Sequence, residues 1–254
     1  MAIEPDILKE MTALVRAGDL AGFRLRALGG LGIYLRCQQG IPLALQRTWK
    51  DIDLAARKED ASRLADFFAS RGYQADKNFN LLNGDRRQLY HDAENHRQVD
   101  IFIHEFAMCH KFPLTDRLPK DGIAAHPAEL FLSKAQIIQL NEKDLIDLAA
   151  LLLNCPAGDD DDGKINRSVV CELTRKDWGF FHTIQRSLQA LRRFVPTFKI
   201  APDQHDLLMQ RIELMESALE NTPKTSMWKA RAALGERVRW YDEVEEVEIG
   251  DSSS

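Results

Sequence analysis

The sequence predicts an α+β fold: a small mixed β-sheet with flanking helices, followed by a C-terminal helical region. Three observations carry this reading. Short runs such as Phe23-Leu25-Ala27, Ile52-Leu54 and Val99-Ile101-Ile103 have the two-residue apolar period of strands. Runs with helical spacing lie between them. From His126 onwards the patterns are helical, with no strand among them. The expected organisation is an α/β domain over residues 1–125, a helical domain over 126–245, and a disordered acidic and polar tail over 246–254.

Taken in order, Leu8, Met11 and Val15 follow Pro5 and Asp6 at helical spacing, which predicts a first helix over 5–17. "GFRLRALGG" then alternates, predicting a short strand that runs into Gly29 and Gly30. "LGIYLRCQQ" resumes as a helix, stopped by Gly40 and Pro42. "DIDLAA" reads as a second strand, and "KEDASRLADFFASRGY" as a helix that buries Leu64, Phe67 and Phe68 and ends at Gly72. "RRQLYHDAENHRQVDIFIH" reads as a hairpin with its turn near Asp92 to His96.

In the second half, Pro127 fits the first turn of a helix, and "EKDLIDLAALLLN" forms the next. Residues 155–164, with four consecutive aspartates, are a loop. Three apolar stripes follow: Trp178, Phe181, Ile184, Leu188, Leu191 and Val195; Leu208, Ile212, Met215 and Leu219; and Met227, Ala230, Leu234, Val238 and Tyr241.

With 254 residues, 44% hydrophobic and 29% charged, the chain is long enough to bury a real core. Its net charge of −5 excludes wholesale basic character, so a nucleic acid would have to meet a local patch. There is no secretory signal pattern and no run long enough to span a membrane. Four scattered cysteines without a C-x-x-C pair read as individually buried, reduced thiols. A cytoplasmic protein is the expectation.

Alternate side chains of a strand share a face, so Asp51 and Asp53 point one way while Ile52 and Leu54 enter the core. For an isolated D-x-D, a solvated strand face is the commoner explanation. Asp100 changes the balance, because it lies opposite the apolar alternation of "QVDIFIH". If the two strands are neighbours, three carboxylates converge, and such a set suits hard divalent cations. Two ions about 3.5–4 Å apart activate an attacking hydroxyl and stabilise a leaving pyrophosphate. Gly29 and Gly30, just before a helix, would let a phosphate approach the backbone and the positive helix end. The alternative for the glycines is a tight strand-to-helix turn.

Together these residues resemble the DNA polymerase β-like nucleotidyltransferase superfamily. The carriers are "LGG" at 28–30, "RTWKDIDL" at 47–54 and "VDIF" at 99–102. "LSKAQIIQLNEKDLIDLAALL" at 132–152 resembles the helical segment of bacterial nucleotidyltransferases of the abortive-infection toxin type. The likeness covers about residues 20 to 153. It implies a nucleotidyltransferase core in which Asp51, Asp53 and Asp100 are catalytic and bind two Mg2+ or Mn2+ ions. Asp100 would hold the ion that activates the acceptor and assist its deprotonation. The likeness also implies that Gly29, Gly30, Arg47 and Lys134 meet the nucleotide, and that Asp144 and Asp147 support the site. Gly-Gly stands where many members carry Gly-Ser, and the interval from Gly30 to Asp51 exceeds that of minimal members. Asp144 and Asp147 share a helix face at i, i+3 spacing, so a salt bridge or solvated face explains them equally well.

The function implied is transfer of a nucleoside monophosphate from an NTP to an acceptor hydroxyl, releasing pyrophosphate. The acceptor is RNA or tRNA, an antibiotic-like small molecule, or a protein, with a cognate antitoxin as a further partner if the chain acts as a toxin. No membrane partner is expected. A non-catalytic nucleotide-binding module and a metal-dependent phosphohydrolase remain open as alternatives. Elsewhere, His91, His96, His104 and His110 lack zinc-site spacing. His104 lies on the Asp100 face and either touches substrate or is structural, the commoner case. The run Asp159 to Asp162 lacks calcium-loop spacing and reads as solvated. Arg167, Arg175, Lys176, Arg186, Arg192 and Arg193 read as a solvated helix surface rather than an RNA patch.

Overall fold

Asp6 starts the first helix: its carboxylate accepts the N–H groups of Leu8 and Lys9, satisfying donors that a helix N-terminus leaves unpaired. In the computed structural model, which describes residues 3–243, α1 spans Ile7–Leu20 and buries Met11, Leu14 and Val15. β1 (Leu25–Ala27) leads into α2 (Gly29–Cys37), and β2 is Ile52–Ala56. Residues 58–63 wind as a 3-10 helix before α3 (Leu64–Ala69), where one continuous helix was expected. The buried Asp60 accepts from the Arg57 side chain and the Arg24 backbone and draws that turn inward. Leu64, Phe67 and Phe68 are buried as expected.

β3 (Gln74–Ala75) and α4 (Lys77–Asn83) precede the hairpin of β4 (Arg87–Asp92) and β5 (Arg97–Ile103). The main sheet has the order β1-β2-β5-β4-β3. Its β2–β5 pair is parallel and the others are antiparallel, so the sheet is mixed. A second small hairpin pairs β6 (Glu105–Ala107) with β7 (Lys111–Pro113). β3, β6 and β7, of two or three residues each, have no flanking alternation of the kind that Phe23 adds to β1 and show no period in the sequence.

The second half holds α5 (Pro127–Ala135), α6 (Glu142–Asn154), α7 (Arg167–Thr174), α8 (Trp178–Phe194), α9 (Pro202–Asn221) and α10 (Ser226–Leu234). A short parallel pair, β8 (Ala157–Gly158) and β9 (Ile165–Asn166), clasps the aspartate-rich loop. The stripes on α8 and α9 are buried throughout. The third stripe is not: Met227, Leu234 and Val238 are exposed, the helix stops at Leu234, and Trp228 makes the contact with the core. α2 packs on α5 and α6, so one continuous core links the sheet to the helices.

The thiols of Cys37 and Cys155 lie 3.8 Å apart, correcting the expectation of separate cysteines, and Cys109 is only partly buried. The aspartate run is exposed, as expected, at Asp159, Asp160 and Asp162, and only Asp161 is half-buried, held by Arg117 at 2.7 Å. The basic side chains of the helical region are largely neutralised: Arg175 and Lys176 by Glu172, Arg186 by Glu236, and Arg192 by Glu216. Among the described residues no helix is long and apolar enough to cross a membrane. The tail at 246–254 lies outside the described residues.

Candidate active site

The parallel pairing of β2 with β5 sets Asp53 directly beside Asp100, flanked by the buried pairs Ile52–Val99 and Leu54–Ile101. Same-face neighbours in a ladder lie close enough for carboxylates to repel. Burial first, then Asp100 and Asp51, push the Asp53 carboxyl up to about 6, against the opposing pull of Lys134. Burial likewise raises Asp100, with Arg87 opposing it. Asp51, one residue before the strand, is exposed at the rim.

The sign of the Asp53 shift gives a test on the metal-free protein. Its value near 6 lies above the ordinary 3.8, so the folded chain holds this proton more tightly than the unfolded chain does. Through this group the fold therefore gains stability as pH falls from about 6 towards 4, and ionisation above 6 works against folding. Carboxyl NMR on the metal-free chain is expected to show one aspartate titrating near 6 that is missing in Asp53→Asn.

Above this pair, the strand-to-helix turn is fixed by the Leu28 N–H donating to the Asp53 carbonyl at 2.8 Å. Gly29 and Gly30 form the first turn of α2, one step earlier than a helix beginning after them. Gly29 has φ +57°, and a Cβ there would collide with the Asp53 carboxylate. At Gly30 a Cβ would strike the Arg47 guanidinium, Asp147 Oδ2 at 2.6 Å and Trp49 Nε1 at 2.8 Å. The room left by the two missing side chains is thus filled by Asp53 and by the Arg47–Asp147 pair.

Gly29→Ala is expected to lose about 1–2 kcal/mol from the left-handed backbone alone, and more from the clash. Gly22→Ala supplies the control, since φ there is +80° with nothing within 4 Å of a new Cβ. Urea unfolding of both variants should show the larger loss at Gly29.

α5 and α6 bring the remaining candidates to the same place. Lys134 lies 3.0 Å from both Asp144 and Asp147. Burial opposes its charge, but Asp147 and Asp144 prevail and raise its pKa. Arg47 grips Asp147 with Nε at 2.8 Å and Nη2 at 2.6 Å. Asp144 also closes a capping box with Asn141 at the start of α6. Both aspartates are buried and ion-paired, so neither lies on a solvated helix face.

An open cleft of about 260 Å3 joins these groups, lined by Gly30, Trp49, Lys50, Asp53, Lys134 and Lys143 among others. Lys50 and Lys143 were not singled out from the sequence, although Lys50 adjoins Asp51. Trp49 packs against Tyr34 with the rings tilted and their centres 4.7 Å apart, and its buried indole N–H has no hydrogen-bond partner among the described residues. Arg87 was also missed. It forks onto Asp100, with Nε 2.8 Å from Oδ1, and only the strand register of the hairpin would have revealed it. His104 stands apart: it turns at φ +69° and bonds Thr115 at 3.1 Å, a structural role.

The donor chemistry at Asp51 and Asp53 fits a divalent cation, since hard oxygens crowded by like charge are what such an ion neutralises. Asp100 does not fit as it stands, because both its oxygens are taken by Arg87. Among the described residues no three acidic, histidine or cysteine side chains are gathered tightly enough to hold a metal.

No protein-family model matches the chain, and no curated protein matches it. Among solved structures it is similar to the antibiotic-resistance factor ANT(2'')-Ia, at 14% identity over 84% of this chain and 93% of that one, with a TM-score of 0.38.

Proposed function

We propose that the protein is a metal-dependent nucleotidyltransferase that transfers a nucleoside monophosphate from an NTP to an acceptor hydroxyl. The observation that carries this reading is the pairing of opposites in one cleft. Asp51 and Asp53 line it on one side, and Asp100 lies behind them, beside Asp53 on the neighbouring strand and outside the lining. Facing them are Lys134, Arg47, Lys50 and Lys143, of which Lys50 and Lys143 make no ion pair among the described residues. A polyphosphate carrying a cation has the complementary charge distribution, negative oxygens towards the lysines and positive ion towards the carboxylates.

In this reading Lys50 and Lys143 bind the polyphosphate, and the first turn of α2 offers N–H groups and a positive dipole end to it. Lys134, held by Asp144 and Asp147, supplies a fixed positive charge. A divalent ion held by Asp51 and Asp53 would stabilise charge on the triphosphate and on the departing pyrophosphate. The acceptor oxygen forms its bond to the α-phosphorus as the bond to pyrophosphate breaks. The hydroxyl proton leaves to solvent water, because Asp100, the carboxylate expected to take it, has both oxygens on Arg87. The acceptor belongs to RNA, an antibiotic-like small molecule or a protein, and a toxin role with a cognate antitoxin would follow from RNA or protein modification.

The reaction products test the proposal against its rivals. Incubation with NTP and Mg2+ or Mn2+ plus a mixed acceptor extract should release pyrophosphate. Release of inorganic phosphate without transfer would instead identify a phosphohydrolase, and nucleotide binding without either product a regulatory module.

A further inference from the structure

The hairpin that carries Asp100 also carries its jailer. β4 and β5 pair so that Arg87 faces Phe102 and Leu89 faces Asp100. Arg87 and Asp100 therefore stand diagonally on one face of the sheet, within reach of a long side chain. The Arg87 Nε lies 2.8 Å from Oδ1 and 3.0 Å from Oδ2, and Nη2 adds a further short bond to Oδ2. The guanidinium sits 5.1 Å from the Phe102 ring and 5.6 Å from the Phe79 ring. The paired side chains are only 18% and 7% exposed.

We infer that Arg87 is a positioning residue that keeps Asp100 out of a metal shell, so that the site takes one divalent ion, at Asp51 and Asp53. This rests on reading the cleft as a nucleotidyl-transfer site. For Asp100 to ligate an ion it would have to leave a two-pronged, largely buried partner and strand that cation among two aromatic rings. Breaking a buried pair from one side is strongly unfavourable. The forked guanidinium also fixes the carboxylate plane, which a single-point ammonium does not. Arg87 thus supplies, as a permanent side chain, the positive charge that a second ion would bring to Asp100.

The test is Mn2+ alone, titrated into the full chain, with bound ions counted from the loss of the free-ion electron paramagnetic resonance signal. The expected count is one for the wild type, two for Arg87→Gln and none for the Asp51→Asn, Asp53→Asn protein. Arg87→Lys keeps the charge, loses the fork, and guards against a glutamine variant that fails to fold. It is expected to admit a second ion more weakly than the first. Circular dichroism melts show which variants are folded. Two ions on the wild type, or one ion on every folded Arg87 variant, overturn the inference and leave the proposed function standing. No ion on the wild type overturns the inference alone, because in the proposed function the polyphosphate carries its cation into the cleft, and pyrophosphate release then decides that function separately.

Discussion

The Asp51→Asn, Asp53→Asn protein is expected to fold and to lose nucleotidyl transfer by on the order of 10^3-fold or more. Charge stabilisation in a metal-assisted displacement is worth several kcal/mol, and each 1.4 kcal/mol is worth about tenfold in rate. Folding should survive because Asp51 is exposed and Asp53 is a carboxyl whose charge is disfavoured by its surroundings. A neutral amide of the same shape removes repulsion from Asp100 rather than a favourable bond. Transfer and thermal unfolding measured on the same preparation separate the two effects. Loss of activity together with a collapsed melting transition would count against a chemical role.

Asp147→Ala is expected to produce the largest loss of stability, about 3–5 kcal/mol, the range for removing one partner of a buried ion pair. Its carboxylate holds Arg47 through two bonds and Lys134 through a third contact. Without it Arg47, 15% exposed, has no carboxylate partner among the described residues, whereas Lys134 keeps Asp144. Asp159→Ala makes the contrast. Its pair with Arg167 is 73% and 41% exposed, and surface pairs are worth about 0–1 kcal/mol. Urea unfolding should place the two variants far apart. Equal and small losses would mean that the network under α2 is incidental to the fold.

Strands and helices with enough residues to show a period were legible in the sequence, as was the convergence of Asp53 with Asp100 once β2 and β5 were taken as neighbours. The limits had physical causes. At Gly29 and Gly30 the sequence shows an absent side chain but not which protein groups come close to it, here Asp53 and the Arg47–Asp147 pair. Asp144 and Asp147 fitted a supporting role in the site and a salt bridge or wet helix face equally, since i, i+3 spacing is common to all of them. The distinction needed Arg47, a hundred residues away along the chain. Arg87 was invisible for a related reason: its partner is set by a diagonal across the hairpin rather than by any motif. The stripe from Met227 to Tyr241 misled because helical spacing alone does not say that a second surface is present to cover it.

The central claim is that this cleft moves a nucleoside monophosphate. Its most direct test is transfer of label from each α-labelled NTP, with Mg2+ or Mn2+, into three pools: total RNA, small hydroxyl compounds and the protein itself. The account predicts label in one pool with the wild type and none with the Asp51→Asn, Asp53→Asn protein. Label that persists undiminished in that double variant would contradict it.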